Sequence, residues 1–520
     1  MIKKYWKDGI AMTFLMSLVI AVFAWVPQMY FQQDEWYFMG KYYLFQKDPF
    51  IIFRVIGGMH FLPLEQLWFF LQYYFFGLHP VGYGVMSLIS HAVVAILAYS
   101  VFRMLSFRIF PSVIAVAFFT INPVSAQVVS WPLASICGSV SMIVFLSACI
   151  IWIRTLQKQS HIASFCVGAL LFCAMLFKED IVIGYILIPI MTLFFTPKRN
   201  ISYKPIIISF LLWLSMFMFI VISGSKEHGV QVHKSVSDGI SYLTSVPQWM
   251  GKIIITHDTL RVVLQRFFGR YTSYLPIIDD DPFIKTVCAV IAGMYFLWYL
   301  ITTAIGRVSI KKMVLFPCLV IISMTPYFFS ISSGLESRHY FIAVFITGMW
   351  IAWYLDWLMT KKYTFLFFSS ACALGMLIGI FGVANQPRED YLPSQEKRNR
   401  VVLEMQKFVT PTSGNVVYYL EHGESLPFLS GVGHMLLVLQ AGRDQVFYPY
   451  FTNYFLYSIQ EEGYQHLGEK GFGYYFNSET LKRDVQKGVF PVSSIRAYSF
   501  DRDTLLFQDI TKQTLESLYL

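Results

Sequence analysis

Two adjacent carboxylates, Asp34 and Glu35, sit in the stretch Phe31-Gln32-Gln33-Asp34-Glu35-Trp36-Tyr37, directly after the first long apolar segment, Ile10 to Val26. That position is a membrane surface, where a charge next to lipid is costly and needs a reason. A carboxylate there can take a proton from an attacking hydroxyl, or ligate a divalent cation such as Mg or Mn. The plainer alternative is a pair of solvated charges below the aromatic belt of Trp36 and Tyr37. Other ionisable residues fall at the same depth: Arg54 and His60 in the loop that follows, Lys178, Glu179 and Asp180 after the fifth apolar segment, and Arg338 and His339 before the tenth. Lys and Arg gathered at that level would hold an anionic lipid headgroup while a carboxylate accepts a proton. For Lys178 and Arg338 the competing role is snorkelling from the ends of membrane spans.

The elements that must position these groups are membrane helices. Of 520 residues 56% are hydrophobic and only 14% charged, against about 25% charged in a soluble domain. Eleven apolar runs approach the roughly 20 residues that a bilayer demands: near 10–26, 81–105, 110–129, 133–153, 162–177, 181–195, 206–222, 284–305, 313–332, 340–358 and 365–383. The expected class is therefore a polytopic α-helical membrane protein. The first run has a basic start (Lys3, Lys4, Lys7) but no small-residue cleavage site at Val26-Pro27-Gln28-Met29, and reads as an uncleaved span.

Lys and Arg cluster in alternate short loops: Arg103 and Arg108; Arg154 and Lys158; Lys198, Arg199 and Lys204; Arg307, Lys311 and Lys312; Lys361 and Lys362. No Asp or Glu interrupts those loops, and the positive-inside rule then places the N-terminus inside and the C-terminus outside. The net charge of +9 is on this reading a topological signal. No basic groove with interleaved aromatics points to nucleic acid. All seven cysteines (Cys137, Cys149, Cys166, Cys173, Cys288, Cys318, Cys372) lie in apolar segments, where packing rather than disulfide or metal chemistry is expected.

Two domains are expected: residues 1–384 in the membrane, and 385–520 as a polar external α/β domain. Within the first, residues 27–80 form a long external loop and 224–282 a second, basic one. The apolar stretch Leu62–Phe76 is interrupted by Glu65 and Gln66 and bounded by Pro63 and Gly77; it reads as an interfacial amphipathic helix rather than a twelfth span. In the C-terminal region helices are expected at 394–408, 426–439 and 479–487, strands at 415–420 and 473–476, and a hairpin around Asp501-Arg502-Asp503. His91, within a span, suits a structural hydrogen bond to a neighbouring helix. His79 reads as a turn residue, and Trp131-Pro132 as an interface anchor.

With these features in place, the chain resembles the GT-C glycosyltransferases, in particular bacterial members and their relatives among the O-mannosyltransferases that carry TPR repeats. Asp34-Glu35 resembles their acidic motif after the first span. Pro63-Leu64, Gly77 to Tyr83 and His91 are similar to the family's second-span region, Asn122-Pro123 with Val129 and Trp131 to its next external turn, Lys178-Glu179 to its Lys-Glu, and Glu336-Ser337-Arg338-His339-Tyr340 to its Glu-Arg-Tyr. The resemblance covers about the first 385 residues. The chain departs from the pattern at Gln127, within Ala134–Ser139, and at Ser337 and His339, and its C-terminal domain does not look like TPR repeats.

The resemblance implies a GT-C-like fold in a bacterial inner membrane. It implies a transferase that takes sugar from a polyprenyl-phosphate donor at the external, periplasmic face and passes it to a glycan or glycolipid acceptor such as O-antigen. Asp34 is then the base of an inverting displacement, with Glu35 orienting it or binding the acceptor. Lys178, Arg338 and Arg54 are candidates for the donor phosphate, and His60, Glu179, Asp180 and His339 for other substrate contacts. A polysaccharide polymerase or ligase is a second reading, which explains Asp34-Glu35 poorly. A lipid-linked glycan transporter is a third, against which stand the absence of internal repeats and the scarcity of charges in mid-span.

Overall fold

An apolar chain in lipid must bond its own backbone polar groups, and a helix does so within one segment. The computed structural model describes residues 2–31, 33–53, 61–158, 161–195, 203–204, 206–215, 218, 247, 250–254, 282–306, 308, 310–324, 337–385, 391–409, 416–426, 435–436, 438–439, 472–475, 477–488 and 490–518. In chain order the helices are α1 Ile2–Phe23, α2 Gln33–Lys47, α3 Pro63–Phe76, α4 Pro80–Met104, α5 Ile109–Thr120, α6 Pro123–Ser130, α7 Pro132–Ser135, α8 Ser141–Lys158, α9 His161–Phe177 and α10 Gly184–Phe195. Next comes α11 Ile206–Ser215. They are followed by α12 Pro282–Ile305, α13 Ile310–Ser323, α14 Phe341–Thr360, α15 Thr364–Ala384, α16 Tyr391–Phe408, α17 Ser478–Gln486 and α18 Thr511–Leu518.

Each of the eleven expected apolar runs carries a helix. Among the described residues, five are long and apolar enough to cross a bilayer: Trp6–Gln28, Pro80–Met104, Pro132–Thr155, Phe341–Thr360 and Thr364–Ala384. The bent pair α5–α6, at 56°, makes a sixth if it is one span. The shorter apolar helices include Ile162–Phe177, Ile206–Ser215, Ala289–Ile305 and Met313–Ser323. Several helices suited to a bilayer are consistent with a helical membrane protein.

The chain forms two compact units, Met1–Pro27 with Gly84–Gln386, and Gln28–Tyr83 with Pro387–Leu520. The second junction lies at the change of composition after Asn385. The first groups residues 28–83 with the C-terminal region.

In the first unit α1 and α4 are antiparallel. Asp8 accepts hydrogen bonds from Arg103 Nε and the Tyr99 hydroxyl, both at 2.7 Å. At the other end a Cβ on Gly84 would lie 2.7 Å from both Pro27 Cα and the Val26 carbonyl oxygen, so the helices touch there through backbone. The chain thus leaves α1 and enters α4 at one end of the pair, with no net crossing between. The α5 and α14 helices are antiparallel too: the Arg108 amide donates to Asp356 Oδ1 at 3.0 Å, and the Phe119 and Phe341 rings are 5.0 Å apart. His91 bears out its structural reading. Its Nε2 donates to the Thr120 carbonyl at 2.8 Å, so Nδ1 accepts from the Ser139 hydroxyl at 3.3 Å. Ser139 lies in a π-helical turn, Ile136–Val140. His79 is a turn residue, its amide donating to the Phe76 carbonyl at 3.0 Å. Trp131, expected at an interface, is instead buried in the bend between α6 and α7. Cys137, Cys149, Cys166, Cys173, Cys318 and Cys372 carry free thiols.

The second unit holds the expected α/β region. Its sheet contains β1 Val416–Glu421, β2 Phe472–Tyr475, β3 Ile495–Asp501 and β4 Leu506–Asp509 in the order β2-β1-β3-β4. The first three strands are parallel, Tyr418 pairing with Tyr474 on one side and Arg496 on the other, and β4 closes an antiparallel hairpin on β3. Val417, Tyr419, Tyr475, Leu481, Ile495, Ala497 and Leu518 form its core. The buried helix expected over 426–439 starts later than Leu426, which is extended after a 3-10 turn; of the rest, the described residues Met435, Leu436, Val438 and Leu439 are helical and buried. The basic segment 224–282 lies almost wholly outside the described residues.

Two expectations follow. Gly84→Val drives a side chain into the Val26–Pro27 backbone; it should destabilise the protein by about 1–3 kcal/mol, read as a lower melting temperature in detergent, while Gly375→Val, with open space around its Cβ, leaves it unchanged. At the C-terminus, Asp509 Oδ1 accepts from the Thr511 amide at 2.8 Å, and hydrogen bonds from the Thr511 hydroxyl and amide hold its carboxyl below the usual carboxylate range. A pKa depressed by folding gives stability that is present above the unfolded value and lost as pH falls through the folded one. Protection factors for amide exchange in residues 495–518, referred to the intrinsic rate at each pH, should therefore fall below about pH 4, and Asp509→Asn should remove part of that acid dependence.

Candidate functional site

Pro27 ends the first spanning helix in a 3-10 turn, Val26–Gln28. The carboxylates, expected to finish that span, instead open a new helix: Asp34 and Glu35 are in the first turn of α2. Negative charge is favoured there, because the first amides of a helix lack partners and the dipole presents its positive end. Neighbours on a helix point about 100° apart, and here they part company. Asp34 is partly exposed, whereas Glu35 is 0% exposed. The Glu35 carboxylate acts electrostatically on the Tyr83 phenol, whose hydroxyl donates to the Gly77 carbonyl at 2.9 Å.

Aromatic packing fixes the start of α2. Phe31 is buried, with edge contacts to Trp36 at 5.6 Å and Tyr83 at 5.1 Å. The Tyr83 ring lies 5.7 Å from Phe69 of α3, and Phe38 lies 5.5 Å from the Phe69 ring. Burial pushes the Tyr37 phenol up to about 12, so it stays protonated at neutral pH. Lys41, also buried, has its Nζ 5.9 Å from the Tyr37 ring.

The third helix is inverted. Glu65, Gln66 and Gln72 are buried, whereas Leu67, Leu71, Tyr74 and Phe75 are exposed. An apolar stripe is thus turned outward on a helix that leads, three residues later, into a candidate span. Inside, Gln66 Nε2 donates to the Ile52 carbonyl at 2.9 Å. Sequence reasoning marked Glu65 and Gln66 only as interruptions; their spacing to Phe69, Gln72 and Tyr73 was the signal that they face inward.

In the other unit Lys178 follows α9 in extended conformation and caps a 3-10 turn, Glu179–Ile183. Its Nζ is 3.9 Å from Asp180 Oδ2, both side chains being partly exposed. At that distance the pair is an electrostatic neighbour rather than a hydrogen bond. Arg338 and His339 lie in a 3-10 turn, Ser337–Tyr340, that packs against α6. The Arg338 side chain lies outside the described residues, as do Arg54 and His60. The structure thus joins Asp34 with Glu35 on one helix and Lys178 with Asp180 in one turn.

The break between α5 and α6 also carries polar groups that the sequence marked only as Asn-Pro. Pro123 has no amide hydrogen for the Phe119 carbonyl, and the Ser125 hydroxyl supplies one at 2.6 Å. Asn122 Oδ1 caps α6 by accepting from the Val124 amide at 2.9 Å, and its Nδ2 donates to the Ile253 carbonyl at 3.0 Å. Asn385 Nδ2 donates to the Ile121 carbonyl at 2.6 Å, and Trp25 Nε1 donates to the Asn385 carbonyl at 2.9 Å. Every one of these bonds is spent on backbone, which makes the break a structural joint.

Among the described residues no group of three or more His, Cys, Asp and Glu is arranged to hold a metal ion. What α2 offers chemically is a solvent-reaching carboxylate next to a buried one, both favoured as anions by the helix terminus. Compared with family models and with curated proteins, the chain matches none.

Proposed function

We propose that the chain is an integral-membrane glycosyltransferase of GT-C-like architecture. On this reading it has eleven spans, its N-terminus inside and its C-terminus outside, and it works at the external face of a bacterial inner membrane. The observation that carries the reading is the division of Asp34 and Glu35 at the start of α2, one carboxylate reaching solvent and its neighbour buried. A base must reach its substrate, and a buried neighbour fixes the helix that presents it.

The donor is a sugar linked to polyprenyl phosphate and the acceptor is a hydroxyl of an envelope glycan or glycolipid. The acceptor oxygen attacks the anomeric carbon from the face opposite the phosphate. A new C–O bond forms, the bond to the phosphate oxygen breaks, and the configuration inverts. Asp34 takes the hydroxyl proton. The lipid phosphate leaves with its charge stabilised by Lys178, Arg338 and Arg54. The Lys178 Nζ lies 3.9 Å from Asp180 Oδ2, so a cation and a carboxylate of the proposed site share one turn. Glu35 orients α2, while His60, Glu179, Asp180 and His339 serve the sugar and acceptor.

The test is a transfer assay with radiolabelled polyprenyl-phosphate sugars and envelope glycolipid extract. Asp34→Asn should lower turnover by about 10²–10⁴-fold while membrane insertion and melting temperature stay the same; normal turnover in that variant removes Asp34 as the base. Growth of chains from diphosphate-linked oligosaccharides, with no transfer from any monophosphate donor, would replace the proposal by a polymerase. Arg338→Ala should raise the KM for donor about tenfold or more, with little change for acceptor. An unchanged donor KM returns Arg338 to a snorkelling role.

A further inference from the structure

The acidic helix is held from far along the chain. The Tyr30 amide, four residues before Asp34, donates to Gln395 Oε1 at 2.9 Å, and both residues are buried. Because the partner is an N–H, the acceptor at Gln395 is its carbonyl oxygen, which fixes the orientation of the amide. Gln395 is in the first part of α16. The same helix buries Val401, Val402 and Met405, at the spacing of one helical face. At its far end Phe408 stacks on Tyr498 of β3, with ring centres 3.9 Å apart, and meets Phe507 of β4 at 5.0 Å. Between Gln395 and Phe408 the helix spans about 20 Å at 1.5 Å per residue. One rigid element thus joins the sheet to the backbone that leads into α2.

Little slack remains between that bond and the carboxylates. Phe31, next to Tyr30, is fully buried between Trp36 and Tyr83. A shift of the Tyr30 backbone is therefore passed on to the first turn of α2, where Asp34 and Glu35 sit.

We propose that Gln395 is a positioning residue for Asp34, and that the C-terminal region, through α16, sets the geometry of the acidic helix rather than serving only to recognise an acceptor. The catalytic half of this statement rests on the glycosyltransferase reading; the mechanical half does not. Removing the acceptor deletes a buried hydrogen bond between two segments 365 residues apart, and the loss of a buried hydrogen bond is met by moving backbone or admitting water.

The experiment compares Gln395→Leu with Gln395→Glu in the full-length protein in detergent. The two replacements are similar in length, and only Glu keeps an acceptor oxygen. By hydrogen exchange, Gln395→Leu should speed exchange of the amides in 28–36 about tenfold or more, with residues 495–518 unchanged, and Gln395→Glu should restore protection. By transfer assay, Gln395→Leu should lower kcat about tenfold or more with donor KM unchanged, and Gln395→Glu should recover most of it. Unchanged exchange in 28–36 overturns the proposal outright. Faster exchange with unchanged kcat overturns the positioning role. Equal loss in both variants also overturns it, since it would make Gln395 a packing residue. If the wild type transfers no sugar, the glycosyltransferase reading and the catalytic half both fall, and the exchange data alone decide whether α16 clamps the acidic helix.

Discussion

A proline within an apolar helix leaves the carbonyl four residues earlier without its donor, and lipid provides no water to replace it. The joint at Asn122-Pro123 depends on answering that deficit. Ser125 reaches back to the orphaned Phe119 carbonyl, Asn122 caps the helix that follows, and Asn385 and Trp25 carry the chain of donors onward from the ends of two other helices. The bend of 56° is thereby bonded on all sides. Its neighbourhood obeys the same rule: His91 is spent on a carbonyl and a serine hydroxyl, and the π-helical turn that contains Ser139 packs beside α6.

The same constraint explains what was legible in the sequence. Long apolar runs are visible because span length is set by the bilayer, and all eleven coincide with helices. Strands expected at 415–420 and 473–476 and a hairpin around Asp501-Arg502-Asp503 are all present in the C-terminal sheet. Other features were not legible because they depend on partners distant in sequence. Gln395 is an ordinary residue of an amphipathic helix until its amide is seen 365 positions from Tyr30. Trp131 has the composition of an interfacial anchor, yet the bend between α6 and α7 draws it into the core. Leu426 begins an apolar run that suggests a helix, but the preceding turn, with His422 in the left-handed region at φ 61°, leaves it extended.

The inverted helix α3 shows how a pattern can be read correctly while its meaning is reversed. Its spacing is that of an amphipathic helix, and in a soluble domain the apolar stripe would be the inner one. Here the outer stripe is Leu67, Leu71, Tyr74 and Phe75 and the inner one contains Glu65, Gln66 and Gln72. The inversion is stable only if an apolar phase meets the outer face. The three-residue link to α4, a candidate span, puts such a phase within reach. For residues 28–83 this settles a direction: the polar side of α3 turns toward the aromatic cluster that also holds the start of α2.

That direction bears on which carboxylate acts. Asp34 and Glu35 differ by one position, and so by about 100° around α2, enough to send one inward and leave the other at solvent. A fully buried carboxylate keeps its charge only at the expense of dedicated partners, and a group so engaged cannot swing to a substrate hydroxyl without abandoning them. A partly exposed carboxylate at a helix start is placed differently: the helix dipole favours negative charge there, and the residue is partly open to solvent. On the proposed reaction the work therefore divides by geometry: Glu35 secures the helix against Tyr83 and its surroundings, and Asp34 meets the acceptor. Exchanging the two residue types would keep the charge and the spacing but place the longer side chain at solvent and the shorter one in the packed interior.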